Sequence, residues 1–433
     1  MTSANLRHFQ RHFSHLKRIK NLLSHNLLLS LGLGLLACSS SAADEGGNQN
    51  GNTNNNIARG AYLMKIGDCV ACHTAVGGRE LSGGLPFETP FGAVYSTNIT
   101  SDKETGIGKY SYEEFFDAMH HGVGINGNLY PAMPYTSYSL LTDADTQAIY
   151  AYLMSTKPIK QANRDNDVSF PFNLRFGLKA WNLVAHDAKE FTPNKEKSEH
   201  WNRGNYLVNA LGHCGECHTP RDTLFAMEQD KHFEGAIIEG LEASDIRPAE
   251  LNRQNWTHED LKSLFTEGYS RKGTVFGGMY PVVYHSFSHL TDDDMRAVSS
   301  YLLDTDDDLK PDPLTFNGHK PELPGYTLYK GYCAGCHGQN GEGRRNVAPA
   351  MAGNATLDKA SPHNIVAVML KGIKSQHYNL TTSFYAMPGY ADELSDEQIK
   401  DLANYLRLTW STQAGNLDVK TIQSLKEVIL EHD

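Results

Sequence analysis

An all-α chain of three consecutive domains is what this sequence predicts, on three observations. The pattern C-x-x-C-H occurs three times, at Cys69–His73, Cys214–His218 and Cys333–His337. A helix-like segment leads into each copy, and a capped helix with apolar residues at helical spacing closes each unit. Strand-like alternation is scarce, and 433 residues are too many for one ordinary core.

The repeated pattern has a specific chemistry. Two thiols two residues apart reach the two vinyl groups of one porphyrin, and the adjacent histidine reaches its iron, as in c-type haem attachment. Three copies call for three haem c groups, held covalently by Cys69, Cys72, Cys214, Cys217, Cys333 and Cys336, with His73, His218 and His337 as iron ligands. A zinc site needs four ligands, so an odd number of C-x-x-C pairs fits it poorly. Neither a redox dithiol nor a disulfide framework requires a histidine after the second cysteine every time.

Residues 1–37 hold five basic residues (Arg7, Arg11, Lys17, Arg18 and Lys20) and no acidic ones, and end in an apolar run from Leu27 to Ala37. That run is too short to span a bilayer, which takes about 20 residues, and has the layout of a secretory signal. Leu35-Leu36-Ala37-Cys38 resembles a bacterial lipobox, which makes 1–37 a lipoprotein-type signal and Cys38 the lipid attachment point. A plain signal peptide, with Cys38 incidental, is the alternative. Residues 38–56 carry no large apolar side chain after the cysteine and read as a flexible tether. Past residue 37 the chain has 34 basic and 50 acidic residues, a balance that argues against nucleic acid as a partner.

The domains follow from an internal repeat. Arg59-Gly60-Ala61-Tyr62-Leu63 precedes the first motif, Arg203-Gly204-Asn205-Tyr206-Leu207 the second, and Gly325-Tyr326-Thr327-Leu328-Tyr329 more loosely the third. Helix starts with a serine or threonine cap follow the first two motifs, at Ser111 and Thr257. The closing helices begin at Thr142, Thr291 and Ser395, with Asp145, Asp294 and Gln398 three residues on, a spacing suited to a capping box. The expected domains are 57–160, 198–304 and 325–410. A packed linker occupies 161–197, a second linker 305–324, and a C-terminal docking helix 411–433 carries Val419, Ile422, Leu425 and Ile429 on one face.

A haem iron held by histidine on one side takes histidine, methionine or nothing on the other. Met133, Met279 and Met387 lie 60, 61 and 50 residues after His73, His218 and His337, each just before its capped closing helix. They are the predicted axial methionines. Met119, Met154, Met295 and Met369 fall inside helical patterns and read as core. Met351, only 14 residues after His337, reads as packing at the haem edge. His120, His121, His285 and His363 read as surface or satisfied core residues and are the fallback ligands. A proximal histidine also needs an acceptor to orient it, and Pro349 stands in position to supply a carbonyl in the third unit.

Gly67-Asp68-Cys69-Val70-Ala71-Cys72-His73-Thr74, Gly83-Gly84-Leu85-Pro86-Phe87-Glu88-Thr89-Pro90-Phe91-Gly92, Tyr95-Ser96-Thr97-Asn98-Ile99-Thr100, Leu129-Tyr130-Pro131-Ala132-Met133-Pro134-Tyr135, Gly212-His213-Cys214-Gly215-Glu216-Cys217-His218-Thr219-Pro220-Arg221 and Met387-Pro388 together resemble the triple-haem cytochrome c subunits of membrane-bound alcohol, gluconate, sorbitol and fructose dehydrogenases. The resemblance implies three class I cytochrome c-like domains. It also implies a chain that takes electrons from a flavin- or PQQ-dependent catalytic subunit and passes them to ubiquinone or a terminal oxidase. Such a subunit has no substrate chemistry of its own and sits on the periplasmic side of a bacterial membrane, here lipid-anchored through Cys38. The rival is a haem enzyme, a peroxidase or small-anion oxidoreductase, which needs one iron with an open position.

Overall fold

The computed structural model describes residues 46–313, 318–378 and 382–431, so the signal and Cys38 lie outside the described residues. Each repeat opens on a helix that leads into its C-x-x-C-H motif. These are Gly46–Ile66, Glu199–Tyr206 extended by a π-helical turn at Leu207–Leu211, and Gly325–Leu328 extended by another at Tyr329–Cys333. The first begins within the stretch 38–56 expected to be a tether, so the helix reaches back to Gly46. Extending a helix already anchored by the buried Leu63, Met64 and Ile66 adds one hydrogen bond per residue, which carries it into an Asn-rich run that would not nucleate alone.

The closing helices Asp143–Ser155, Asp292–Leu303 and Asp396–Trp410 cross the opening ones at a glycine. A Cβ on Gly60, Gly204 or Gly325 would collide with the carbonyl oxygen of Ala148, Ala297 or Asp401, so each crossing is backbone on backbone. Thr142, Thr291 and Ser395 cap these helices by accepting from the amides of Asp145, Asp294 and Gln398. Only Ser395 has the reciprocal bond, from its own amide to Gln398. The Asp145 and Asp294 carboxylates are drawn elsewhere. Asp145 accepts from Arg59 at 2.6 Å and from the Tyr206 hydroxyl at 2.7 Å, whereas Asp294 accepts from Arg203 at 2.7 Å and from the Tyr62 hydroxyl at 2.6 Å. First and second repeats thus exchange a tyrosine, each reaching the other's cap.

The apolar residues form two large cores. One runs through the first and second repeats, from Leu63 and Leu153 to Leu207 and Val298. The other, around Tyr329, Ile365, Leu402 and Leu406, belongs to the third. The C-terminal helix Val419–Leu430 spends its apolar face on that third core, with Ile422 and Ile429 fully buried.

Helices dominate, but the loops also pair as short antiparallel ladders. Pro86–Thr89, Gly92–Tyr95 and Asp167–Val168 make a three-stranded sheet, and among the described residues four hairpins of two or three residues per strand accompany it. Ladders of two residues carry no readable alternation, which is why an all-α pattern hid them. The expected packed linker is also different in kind. Its helix Phe176–Ala185 has no buried residue and is held by polar bonds, including Tyr135 to Asn182 at 2.8 Å and Trp181 to the Leu224 carbonyl at 2.7 Å.

Candidate haem sites

The three motifs are built alike. In the first, both cysteines lie on the helical turn Cys69–Cys72; in the others, Cys214 and Cys333 stand at the start of the turns Gly215–His218 and Ala334–His337, which carry Cys217 and Cys336. Each histidine carbonyl accepts from a downstream glycine amide: Gly83 at 2.7 Å, Gly235 at 2.8 Å and Gly343 at 2.8 Å. That bond folds the following loop back over the ring.

The loop then orients the imidazole. His73 Nδ1 lies 2.7 Å from the Thr97 carbonyl, His218 Nδ1 2.6 Å from that of Ser244, and His337 Nδ1 2.8 Å from that of Pro349. A carbonyl can only accept, so each Nδ1 carries the proton and each Nε2 keeps its lone pair for a metal. Burial pushes all three histidines below the ordinary value, against the opposing pull of the carbonyl bond, so the rings are held neutral. Pro349 is the acceptor expected from the sequence. Thr97 and Ser244 had escaped it, because a backbone carbonyl leaves no signature in residue type. Asn98, 1% exposed, pins the first acceptor loop by donating to the Ile159 carbonyl at 2.7 Å and to Thr105 at 3.1 Å.

Cys69, Cys72, His73 and Met133 line one cavity of about 450 Å³, walled by Ile99, Phe115, Leu129 and Tyr138. Asp68 lines it too; its Oδ1 is buried without a partner, and burial pushes its carboxyl up to about 7. A second cavity, of about 140 Å³, meets Cys333, Cys336, His337 and Met387. Met351 and Met369 also line it, while Met387 is pinned by a mutual backbone pair with Ile373 at 2.8 and 2.9 Å. In the second repeat, Met279 starts the helix Met279–His285 and packs, half-buried, against the joint core. Met119, Met295 and Met369 are buried, and His363 Nε2 donates to the Gly240 carbonyl of the second repeat at 2.9 Å.

These donor sets fit a covalently attached haem. None of the six motif cysteines is in a disulfide. Burial pushes the Cys69, Cys72, Cys214 and Cys333 thiols up to about 12. Among the described residues, no three His, Cys, Asp or Glu side chains converge to hold a metal ion.

The first two motifs also touch. The Ser286 hydroxyl donates to the Ile66 carbonyl at 2.8 Å, and the Tyr138 ring, held by its hydroxyl on the Gly67 carbonyl, meets that of His213 at 5.6 Å. Glu216, inside the second motif, accepts from Thr136 at 2.7 Å and Ser137 at 2.8 Å, just after Met133, and pairs with Arg221 at 2.6 Å.

Residues 323–410 match the family model for cytochrome c, and residues 55–153 match that for the cbb3-type cytochrome c oxidase subunit III. The chain is 37% identical over 395 residues to the alcohol dehydrogenase (quinone) cytochrome c subunit of Gluconacetobacter polyoxogenes, covering 86% of this chain and 84% of that one. It is 37% identical over 427 residues to the gluconate 2-dehydrogenase cytochrome c subunit of Pantoea cypripedii, covering 92% and 95%. The fructose dehydrogenase cytochrome subunit of Gluconobacter japonicus is 33% identical over 400 residues, covering 86% and 82%. With cytochrome c motifs in place and relatives aligned over most of both chains, this protein belongs to the cytochrome c subunits of alcohol, gluconate and fructose dehydrogenases, which transfer electrons and leave catalysis to a partner.

Proposed function

We propose that this chain carries three haem c groups and relays electrons from a flavin- or PQQ-dependent sugar or alcohol dehydrogenase to ubiquinone or a terminal oxidase. It works on the periplasmic side of a bacterial membrane, attached through a lipid on Cys38. The observation that carries the reading is the threefold histidine-to-carbonyl bond, at His73, His218 and His337. A single haem domain with decayed repeats would not keep all three imidazoles aimed by a backbone carbonyl.

Each bound haem supplies a one-electron couple. Around it, Cys69 and Cys72, Cys214 and Cys217, and Cys333 and Cys336 would form the thioethers. The neutral Nε2 of each histidine would ligate the iron, with Met133, Met279 and Met387 as the proposed second protein ligands. Apolar side chains such as Phe115 and Tyr138 would pack against the haem in the first cavity. A closed histidine–methionine site suits electron transfer and leaves no iron position for a substrate.

Mass spectrometry of the purified chain should show three covalent haems and no free motif thiol. The isolated protein should be reduced only after its catalytic partner and that partner's substrate are both added. Oxidation of an alcohol or sugar by the cytochrome alone would refute the relay reading. Stoichiometric carbon monoxide binding to the reduced protein would favour the enzyme instead.

A further inference from the structure

The stretch from Val168 to His186 differs from the rest of the molecule. In a chain of net charge −11 it holds two basic residues, Arg175 and Lys179, and no acidic one. Its large apolar side chains point outward: Phe170 and Phe176 are each 77% exposed, Leu183 83% and Val184 75%, with Phe172 and Leu174 also exposed. The patch continues onto the second repeat, where Leu224 and Phe225 are exposed too. Phe91 links the two parts, 4.2 Å from the Phe172 ring and 5.0 Å from that of Phe225.

Such a surface is not a loose tail. The Tyr130 hydroxyl donates to the Phe172 carbonyl at 3.2 Å, Arg175 sits over the Tyr130 ring and donates to the Asn128 carbonyl at 3.3 Å, and His186 meets the His120 carbonyl at 2.8 Å. The apolar side chains are therefore held outward by a fixed backbone. Exposed apolar area of this kind marks a protein or membrane contact. The charge pattern decides between them. Asp222 stands beside Leu224 on the adjoining part, but within 168–186 the aromatic and aliphatic face carries Arg175 and Lys179 and no carboxylate, the composition of a helix lying in a lipid interface, where the cations meet anionic headgroups.

We propose that residues 170–184 form a membrane-surface apron that lies in the headgroup region of an anionic bilayer. It is a second attachment, separate from the expected lipid on Cys38. Among the described residues, no helix is long and apolar enough to cross a membrane, so the apron lies on the surface. Because it is bonded to Asn128, Tyr130 and Tyr135, it turns the Met133 loop of the first site toward the lipid.

The test uses the full-length, haem-loaded chain with Cys38→Ala, mixed with vesicles of phosphatidylethanolamine and phosphatidylglycerol. That chain should sediment with the vesicles, and amides of 170–185 and of the Val123–Asn128 hairpin should gain protection from hydrogen exchange. Replacing Phe176, Leu183 and Val184 together by Ser should lower partitioning at least about tenfold with the visible spectrum unchanged. Lys179→Glu should weaken binding to these vesicles but not to pure phosphatidylcholine. Failure of the Cys38→Ala chain to bind vesicles, or equal binding by the triple variant, overturns the proposal. So does a triple variant that keeps its lipid binding and instead loses its dehydrogenase subunit. None of these readouts depends on haem count or on electron delivery, so the relay reading stands or falls separately.

Discussion

The joined first and second repeats and the third repeat use one helical plan with two different locks. In the first pair, the third residue of the closing helix is aspartate, and its carboxylate reaches out of its own cap to an arginine of its own repeat and a tyrosine of the other. In the third, the same position is Gln398, which turns back and bonds the Ser395 amide at 2.9 Å. One residue type makes a long-range, reciprocal junction, and the other a local cap. The cores follow suit: the first two repeats share one, entered from the third by Tyr378 and Phe384, and the third keeps another of its own. Between second and third the contacts are polar and aromatic: Asn364 against the Glu242 backbone, Lys359 with Glu242, Arg253 with Asp358, and the rings of Tyr378 and Phe384 against those of Tyr280 and Tyr269 at 5.3 and 5.6 Å. The third repeat should therefore unfold as a separate cooperative unit, and the first two together.

The most severe way to break this contrast is at the helix crossings. Gly204→Ala places a methyl against the Ala297 carbonyl, with backbone on both sides and no side chain to yield. A cost of roughly 3 kcal/mol or more is expected, carried by the first and second repeats together. Gly325→Ala collides with Asp401 in the same way and should unfold the third alone. Thermal unfolding followed at each haem's absorbance would show it. Equal loss in all three repeats from either variant would mean that they are not separate units.

Removing a shared carboxylate should cost less. Asp145 is 1% exposed, whereas its partner Arg59 stays half in water, so part of the ion pair is screened. Asp145→Asn should destabilise the joined repeats by about 2 kcal/mol. In a double-mutant cycle, Asp145→Asn and Tyr206→Phe should couple by about 1 kcal/mol. Asp294 with Tyr62 should behave alike, while Gln398→Ala should cost only about 1 kcal/mol, as loss of a cap does. Additive effects of Asp145 and Tyr206 would mean that the two side chains do not form an energetic junction.

What the sequence could reveal divides along the same line. Ser111, Thr257 and Ser395 were legible as caps because donor and acceptor are three residues apart and need no tertiary partner. The same spacing at Thr142 and Thr291 suggested a closed box, but a distant arginine and tyrosine outbid the local amide. Tyr62 and Tyr206 stood in the repeat pattern with nothing to mark them as donors across a junction. The motif cysteines and histidines were legible because their chemistry fixes their spacing. Thr97 and Ser244 were not, since they act through carbonyls that every residue owns. The outward face of 170–184 also escaped, for its phenylalanines and Trp181 look like core until their exposure is known.

A gentler change sharpens the second boundary. Asn364 accepts from the Glu242 amide at 2.9 Å and donates to its carbonyl at 2.8 Å, standing in for one rung of a β-ladder. Asn364→Ala leaves both backbone groups without that partner, at a cost of about 1–2 kcal/mol. Hydrogen exchange at Leu241–Ala243 and in the helix His363–Lys371 should quicken, with the joint core unmoved. Slower unfolding of the third repeat, or loss of protection around Leu207, would contradict a boundary at this clamp.

Acid should have the smallest effect, and it should narrow the difference between the two regions. His120, in the first repeat, is pushed down to about 4, chiefly by burial. The folded state therefore prefers its neutral ring; that contribution is complete above the ordinary value of 6.5 and is lost as pH falls from there toward about 4. Asp294 follows at lower pH. Burial raises its pKa, but the bonds from Arg203 and Tyr62 outweigh it and hold the carboxyl below the ordinary 3.8. Its stabilisation is present above 3.8 and disappears as pH drops through the lower folded value. Gln398, at the matching position in the third repeat, has no proton to take up. Acidification should thus lower the unfolding midpoint of the joined repeats toward that of the third, in two steps. Asp294→Asn should abolish the second step and leave the first. If the midpoints instead move apart as pH falls, the titrating lock is not where the Tyr62 and Arg203 bonds place it.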